Sequence, residues 1–375
     1  MNAGAAAAML APPALLERLQ HALTALDPQA DAPNQLKALV AAGCGDLPAP
    51  GGGQTLLRWQ ALAAVAGHDL SLAKLYEGHA DALAVMRELG VHELGVCELG
   101  LREPGLNRDV APGSTWGLWA AEAATGRTTA LRRPDGRMTL HGAKAWCSGA
   151  AHLSHGLLTV WSTEGAGPQL VRVAMKQDGV SINGSGWCAV GMAGSASVDV
   201  SFADAVGDAV GAPGDYLSRP GFWHGGAGIA ACWYGGARAL GVALRRSVAC
   251  TTDVTRRLFG SAAVGRVDVA LHSTAALLRE AAEYIDAHPL ADAGAVALRV
   301  RLAAEGCATL VLGEAGRALG AAAFCRDPHF ARMAADLPVF VRQSHAERDC
   351  AALGDRVVAS PPADHRAAEG SRWAL

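Results

Sequence analysis

Leu140-His141-Gly142-Ala143-Lys144-Ala145-Trp146-Cys147-Ser148-Gly149-Ala150 lies in the middle third of a 375-residue chain. It continues the second arm of a hairpin. Thr128 to Arg133 reads as one arm, Pro134-Asp135-Gly136 as the turn and Arg137 to His141 as the other arm. Asp-Gly supplies the positive φ values that a tight turn requires.

Working outward, residues 113–210 read as a β domain. Thr115 to Trp119, His155 to Trp161 and Leu170 to Met175 look extended, and Ser197 to Phe202 alternates Val198, Val200 and Phe202 with polar neighbours. Several short strands with turn signals predict a small antiparallel barrel or sandwich. Residues 1–112 read as helical: Leu15, Leu16, Leu19 and Leu23 recur at helical spacing, and Ala61 to Leu89 continues in two segments. Asp46 to Gly53 must be a loop, since Pro and Gly break helices, and Thr55 can cap the next helix. Residues 211–375 return to helices: Ala237 to Arg257, stopping near Phe259-Gly260, then Val264 to His288, Ala295 to Leu319, and Phe330 to Gly354 broken by Pro338. Such long, largely apolar helices form bundles that also pack on a partner chain.

Composition excludes several classes of protein. The hydrophobic fraction is 51%, the charged fraction 18% and the net charge −3, which suits a packed protein rather than a disordered one. Basic residues come only as isolated pairs, so nucleic acid is not expected as a partner. No apolar run reaches the roughly 20 residues of a membrane span, and the start, Met1 to Ala5, lacks the positive region of a signal peptide. Nine cysteines without a C-x-x-C pair read as small buried residues of a reducing cytoplasm. His79 reads as a core histidine, and His152, His155 and His224 lack metal-ligand spacing. Gly51-Gly52-Gly53 has no P-loop lysine and reads as a linker.

The stretch around Trp146 resembles the acyl-CoA dehydrogenase segment G-x-K-x-W-[IC]-[ST]. In that family the Trp packs on the flavin ring and the hydroxyl two residues on bonds near its N5; here these are Trp146 and Ser148, with Lys144 read as solvated. An indole face suits a flat ring, and a hydroxyl can tune its electronics. Val190 to Ser195 resembles the family's G-M-R-G-S, with Ala193 where Arg is common and Ser195 as a ligand candidate. Arg256-Arg257-Leu258-Phe259-Gly260 resembles R-x-x-F-G, whose Arg reaches the FAD pyrophosphate across a subunit interface; Arg256 takes that place, and a guanidinium matches phosphate oxygens. Val267 replaces a usual Gln, and Gly320 in Arg317 to Ala321 stands for the family's Q-x-x-G-G.

The resemblance implies an α+β fold with an N-terminal helical domain, a central antiparallel β domain and a C-terminal four-helix bundle. It also implies bound FAD, a homodimer or homotetramer, and oxidation of a small acyl thioester with hydride passing to flavin N5. The family's catalytic Glu falls at one of two positions. Here those read as Ser344 and as Ala231, beside Cys232; neither is an acid. Three explanations stand: Glu347 serves after a one-turn shift; His345 acts as base; or the protein is a flavin monooxygenase fed by a reductase or other electron partner. A silent member that binds a ligand or partner is a further alternative.

Overall fold

The computed structural model describes residues 12–90, 111–122, 127–162, 167–184 and 187–359. The first residues, on which the expectation of no leader rests, lie outside them. α1 (Pro12–Thr24) buries Leu15, Leu19 and Leu23, the stripe their spacing predicts. α2 (Ala32–Ala41) is capped by Asp31, whose carboxylate accepts the Asn34 amide. After the Pro/Gly loop come α3 (Thr55–His68) and α4 (Leu70–Gly90). α4 is buried along most of its length, so it is a central helix rather than a surface one.

Seven strands follow: β1 (Trp116–Trp119), β2 (Thr129–Arg132), β3 (Met138–Ser148), β4 (His155–Ser162), β5 (Pro168–Ala174), β6 (Val180–Asn183) and β7 (Ser197–Val210). The β2–β3 hairpin forms around Gly136 at φ 85°. β3 pairs with β7, β7 with β5, β5 with β4 and β4 with β2, which closes the sheet, while β1 flanks β4 and β6 flanks β7. The sequence reading is antiparallel throughout; the structure corrects it at β1–β4 and β2–β4, which run parallel. The chain leaves β2, crosses through β3 and returns on the far side of β2 in the same direction, the connection a parallel pair requires.

The helices after the barrel are α5 (Asp215–Ser218), α6 (Gly221–Ala249), α7 (Val254–Ala287), α8 (Gly294–Leu319), α9 (Ala321–Arg326), α10 (Pro328–Phe340) and α11 (Glu347–Ala359). α6, α7, α8 and α10 form the bundle, and α3 packs along α6. Two boundaries differ from the sequence reading. The first long helix starts at Gly221 and ends at Ala249; the next begins at Val254, with the Asp253 carboxylate accepting the Arg256 amide. An Asp N-cap, with no Pro or Gly, marks that break. Pro338 lies inside α10, and the interruption falls at residues 341–346.

Thr55 is the first residue of α3 rather than its cap. Asp286, at the far end of α7, accepts from the Gly53 and Thr55 amides and from the Thr55 hydroxyl at 2.6–3.0 Å. One core runs from the N-terminal helices through the barrel into the bundle, and a smaller one lies where α4 meets β1, β4 and β5. The expectation of buried cysteines is corrected: Cys44, Cys147, Cys232 and Cys307 are buried, but Cys188, Cys250, Cys325 and Cys350 are exposed, all eight as free thiols. Among the described residues no helix is long and apolar enough to cross a membrane, and no cluster of metal-ligating side chains occurs.

Candidate functional site

β3 passes so close to the backbone of Arg127 that a Cβ on Gly142 would lie 2.5 Å from its carbonyl oxygen; the residue is a glycine at φ 103°. Beyond it the β3–β7 register slips between Lys144 and Cys147. This bulge holds Trp146 at φ 59°, a left-handed conformation that costs a non-glycine residue about 1–3 kcal/mol. Bulges re-aim side chains, and the indole stands 56% exposed. Lys144, expected in solvent, is instead 3% exposed. Its Nζ donates to Glu122 Oε1 at 2.7 Å, Thr159 Oγ1 at 2.8 Å and the Thr159 carbonyl at 3.1 Å. All three ammonium protons are used, which fixes the root of the bulge. Burial alone would raise the Glu122 pKa, but hydrogen bonds from Lys144 and Thr159 outweigh it and hold the carboxyl below its usual range.

Ser148 is buried and joins a file of hydroxyls: Ser148 to Ser197 at 2.8 Å and Ser197 to Ser195 at 2.9 Å. Ser195 donates to the Met192 carbonyl at 2.7 Å. That end fixes the direction of the file: Ser195 accepts from Ser197, and Ser197 accepts from Ser148. The Ser148 oxygen therefore offers lone pairs outward, not a proton. Ser195 itself is 1% exposed and faces inward. The segment before it is locked to α10, where the Met192 amide donates to Asp336 Oδ1 at 2.5 Å. Gly191 passes the Ala335 carbonyl so closely that a Cβ would lie 2.0 Å from its oxygen.

The C-terminal candidates lie between α10 and α11. Ser344 is buried and its hydroxyl accepts the Ala346 amide at 3.2 Å. The His345 ring is half-exposed, with Nδ1 3.2 Å from Asp349 Oδ1, while Glu347 is exposed in the first turn of α11. Arg301 of α8 gathers this corner: it donates to the Gly226 carbonyl of α6 at 3.2 Å and the Gln343 carbonyl at 3.0 Å, and lies 3.6 Å from Asp349. Arg256 and Gly320 lie apart from both groups. Arg256 is exposed in the first turn of α7, not at a helix C-terminus as its sequence position suggested. A helix start disfavours a cation, so the helix dipole does not account for it. Gly320 ends α8 at φ 64°, ψ −170°.

Reading the sequence missed a polar stripe on α4. Lys74, Glu77 and Asp81 share one face by helical spacing and keep only 13–17% of their side chains exposed. Lys74 Nζ lies 2.9 Å from Glu77 Oε2, and Arg58 of α3 meets Asp81 at 2.5 Å while donating to the Pro48 carbonyl at 3.0 Å. Burial pushes the Asp81 carboxyl up; Arg58 opposes this and Glu77 adds to it, leaving it at about 6. Across from the stripe runs α6, with Gly225 beside Asp81 and the fully buried Cys232. Burial holds the Cys232 sulfur well above its ordinary pKa, so it is a thiol. A small recess between α4 and the barrel is lined by Lys74, Gly78, Gly117, Trp119 and Ser148. His79 turns toward β1 instead, accepting the Trp116 amide at 3.2 Å, and burial lowers its pKa to about 4. The one signal in the sequence was three charges at i, i+3 and i+7 in a helix otherwise fit for the core.

No family model matches the sequence, and no curated protein matches it. Solved structures do. KijD3, in complex with FMN and a dTDP-linked amino-keto sugar, superposes with a TM-score of 0.76 at 19% identity, over 94% of each chain. FMN-bound TdsC from Paenibacillus sp. A11-2, a dibenzothiophene monooxygenase, gives 0.74 at 18% identity over 92% of this chain and 96% of its own. Butyryl-CoA dehydrogenase from Megasphaera elsdenii gives 0.75 at 15% identity over 92% and 98%.

The chain has the acyl-CoA dehydrogenase fold. The two positions at which the family resemblance leads one to expect a catalytic Glu carry no acid: Ala231 is buried in α6, and the Ser344 hydroxyl accepts the Ala346 amide.

Proposed function

We propose that the protein is a flavin-dependent monooxygenase of the acyl-CoA dehydrogenase fold, acting on a small molecule and supplied with electrons by a separate reductase. The observation that carries this reading is the pair of base positions, Ala231 and Ser344, neither able to take a proton from a carbon acid unaided.

The residues present fit a flavin. The bulge holds the Trp146 indole out as a flat platform, and Ser148 offers lone pairs to a ring N–H. The Arg256 guanidinium has no partner among the described residues. It is surrounded by exposed Val254, Leu258 and Phe259, an apolar face suited to a second copy of the chain. In such a homo-oligomer Arg256 would meet the neighbouring copy's cofactor. That favours FAD over FMN, because only FAD carries the pyrophosphate a guanidinium would bind. Bound flavin supplies two-electron redox chemistry; this chain's residues bind it, orient it and hold protons around the substrate. TdsC has been captured with indole and KijD3 with a sugar nucleotide, which supports a cyclic small-molecule substrate.

A second reading, dehydrogenation of an acyl thioester, is favoured by the acids on α4: Lys74, which lines the recess that reaches Ser148, is paired with Glu77. Two measurements separate the readings. Anaerobic mixing with butyryl-CoA should leave the flavin coloured, and reductase-fed protein given indole and oxygen should yield a product labelled from ¹⁸O₂. Rapid bleaching by butyryl-CoA would return the protein to the dehydrogenases. Arg256→Ala should weaken FAD binding by about 1.5–3 kcal/mol, roughly ten- to a hundredfold, and leave FMN binding unchanged. Equal loss for both flavins would remove the pyrophosphate contact.

A further inference from the structure

We propose that Lys144 is a positioning residue for the flavin platform: its ammonium stands in for a missing stretch of strand and fixes the bulge from which Trp146 projects. The proposal rests on the flavin reading above.

The barrel wall is interrupted at this place. β5 covers one edge of β4, and β1 and β2 lie end to end along the other. β1 is paired as far as Leu158 and β2 only from Trp161, so Thr159 falls in the gap between them. β3 parts from β2 at the same level, where that pairing ends at His141; from Gly142 to Ser148 its partner is β7. Lys144 bridges the opening. It reaches from β3 to the Thr159 carbonyl and hydroxyl of β4 and to Glu122, in the connection from β1 to β2. The Thr159 hydroxyl donates to the same Glu122 oxygen at 2.7 Å, so β3, β4 and that connection meet at one ammonium.

The bulge next to Lys144 is anchored at both ends. From Lys144 to Cys147, β3 advances three residues while β7 advances two, from Val200 to Val198, which leaves one residue extra. At the far end Trp119 Nε1 donates to the Ser148 carbonyl at 3.2 Å. The Trp119 ring is itself seated on Gly117 and Gly156, where a Cβ would lie 2.6 and 2.2 Å from it. Lys144 is the anchor at the near end, and its carbonyl also accepts the Cys147 thiol at 3.3 Å. Between the anchors Trp146 keeps a left-handed conformation, which persists only where the surroundings over-determine it. A buried ion pair is weak evidence for stability against apolar packing; what three donors from one fixed nitrogen supply here is register. Without them the bulge can move along β3, and a slip of one residue sends a side chain to the other face of the sheet.

The test is a double-mutant cycle on FAD affinity, read from flavin absorbance. Lys144→Met should weaken FAD binding about tenfold or more in the wild-type background. In a Trp146→Gly background, where no platform is left to position, the same change should cost less than about threefold. A lysine that serves folding alone would cost the same in both. Where Lys144→Met does not fold, Thr159→Val repeats the cycle in milder form by removing one acceptor: a loss of about fivefold in the wild type and less than about twofold in Trp146→Gly. Asp286→Ala, at the opposite end of α7 from Arg256, is the stability control and should leave FAD affinity unchanged. Equal losses in the two backgrounds, full FAD affinity in Lys144→Met, or a matching loss in Asp286→Ala would overturn the proposal. No FAD uptake by the wild type would overturn the flavin reading and this proposal with it; FAD uptake with additive losses would overturn this proposal alone.

Discussion

The β3 bulge and the α4 stripe invert the usual partition of side chains in opposite directions. At the bulge an indole stands more than half exposed; on α4 two carboxylates and an ammonium are largely covered by neighbouring helices. The bulge is held by backbone geometry and by one buried lysine, so its cost is local strain. The stripe is held by partners on α3 and within α4, so its cost is desolvation. Strain at one residue can be relieved by changing that residue. Desolvation cannot, because removing one charge leaves its partner buried and unpaired.

This contrast can be broken or sharpened by three measurements. The largest effect should come from Arg58→Ala. It strands Asp81 beneath α3, and urea denaturation should show a loss of about 3–5 kcal/mol; a loss under about 1 kcal/mol would mean the stripe is not a buried charge system. Next comes the pH dependence of folding. His79 has a folded pKa of about 4, below its ordinary 6.5, so the unfolded chain binds the extra proton. Its contribution is full above 6.5 and is lost as pH falls toward 4, by roughly 3 kcal/mol. Asp81 runs the other way. Its folded pKa is raised from 3.8 to about 6, so its contribution is full below 3.8 and is lost as pH rises to about 6. In His79→Asn only the Asp81 slope of this pair remains, and urea midpoints across pH 4–6 should fall with rising pH. In the wild type the two slopes nearly cancel across this window, so a His79→Asn midpoint as flat as the wild type's would show that His79 is not the neutral core group. The smallest effect on folding should come from Trp146→Gly: within about 0.5 kcal/mol, because an exposed side chain is lost and glycine accepts a positive φ freely. FAD affinity should drop at least tenfold in the same variant. A Trp146→Gly protein that binds FAD normally would remove the bulge from the site.

The same contrast explains what could be read in the sequence. The hairpin, the turn and the Trp146-Cys147-Ser148 triplet are contiguous, and the fold they imply follows from local chemistry. The outward polarity of Ser148 could not be read, because it is set at Met192, where Ser195 spends its proton. Lys144 looked solvated because its partners, Glu122 and Thr159, are 22 and 15 residues away. The α4 stripe went unread because Arg58, which pairs with Asp81, and the buried Cys232 opposite come from other helices. The break at residues 250–253 carries no Pro or Gly, only a capping aspartate.

One long-range contact has a consequence for how the chain is made. The first turn of α3 relies on Asp286, 231 residues after Thr55, as acceptor for its free amides, since Gln54 makes no side-chain cap. On the ribosome the N-terminal helices emerge long before that carboxylate. Until α7 is complete, the head of α3 has only water for those donors, and the nascent N-terminal half must be kept from aggregating with its most central helix pair unfinished. Asp286→Ala should therefore lower the yield of folded protein from cells more than it lowers the stability of the molecules that do fold.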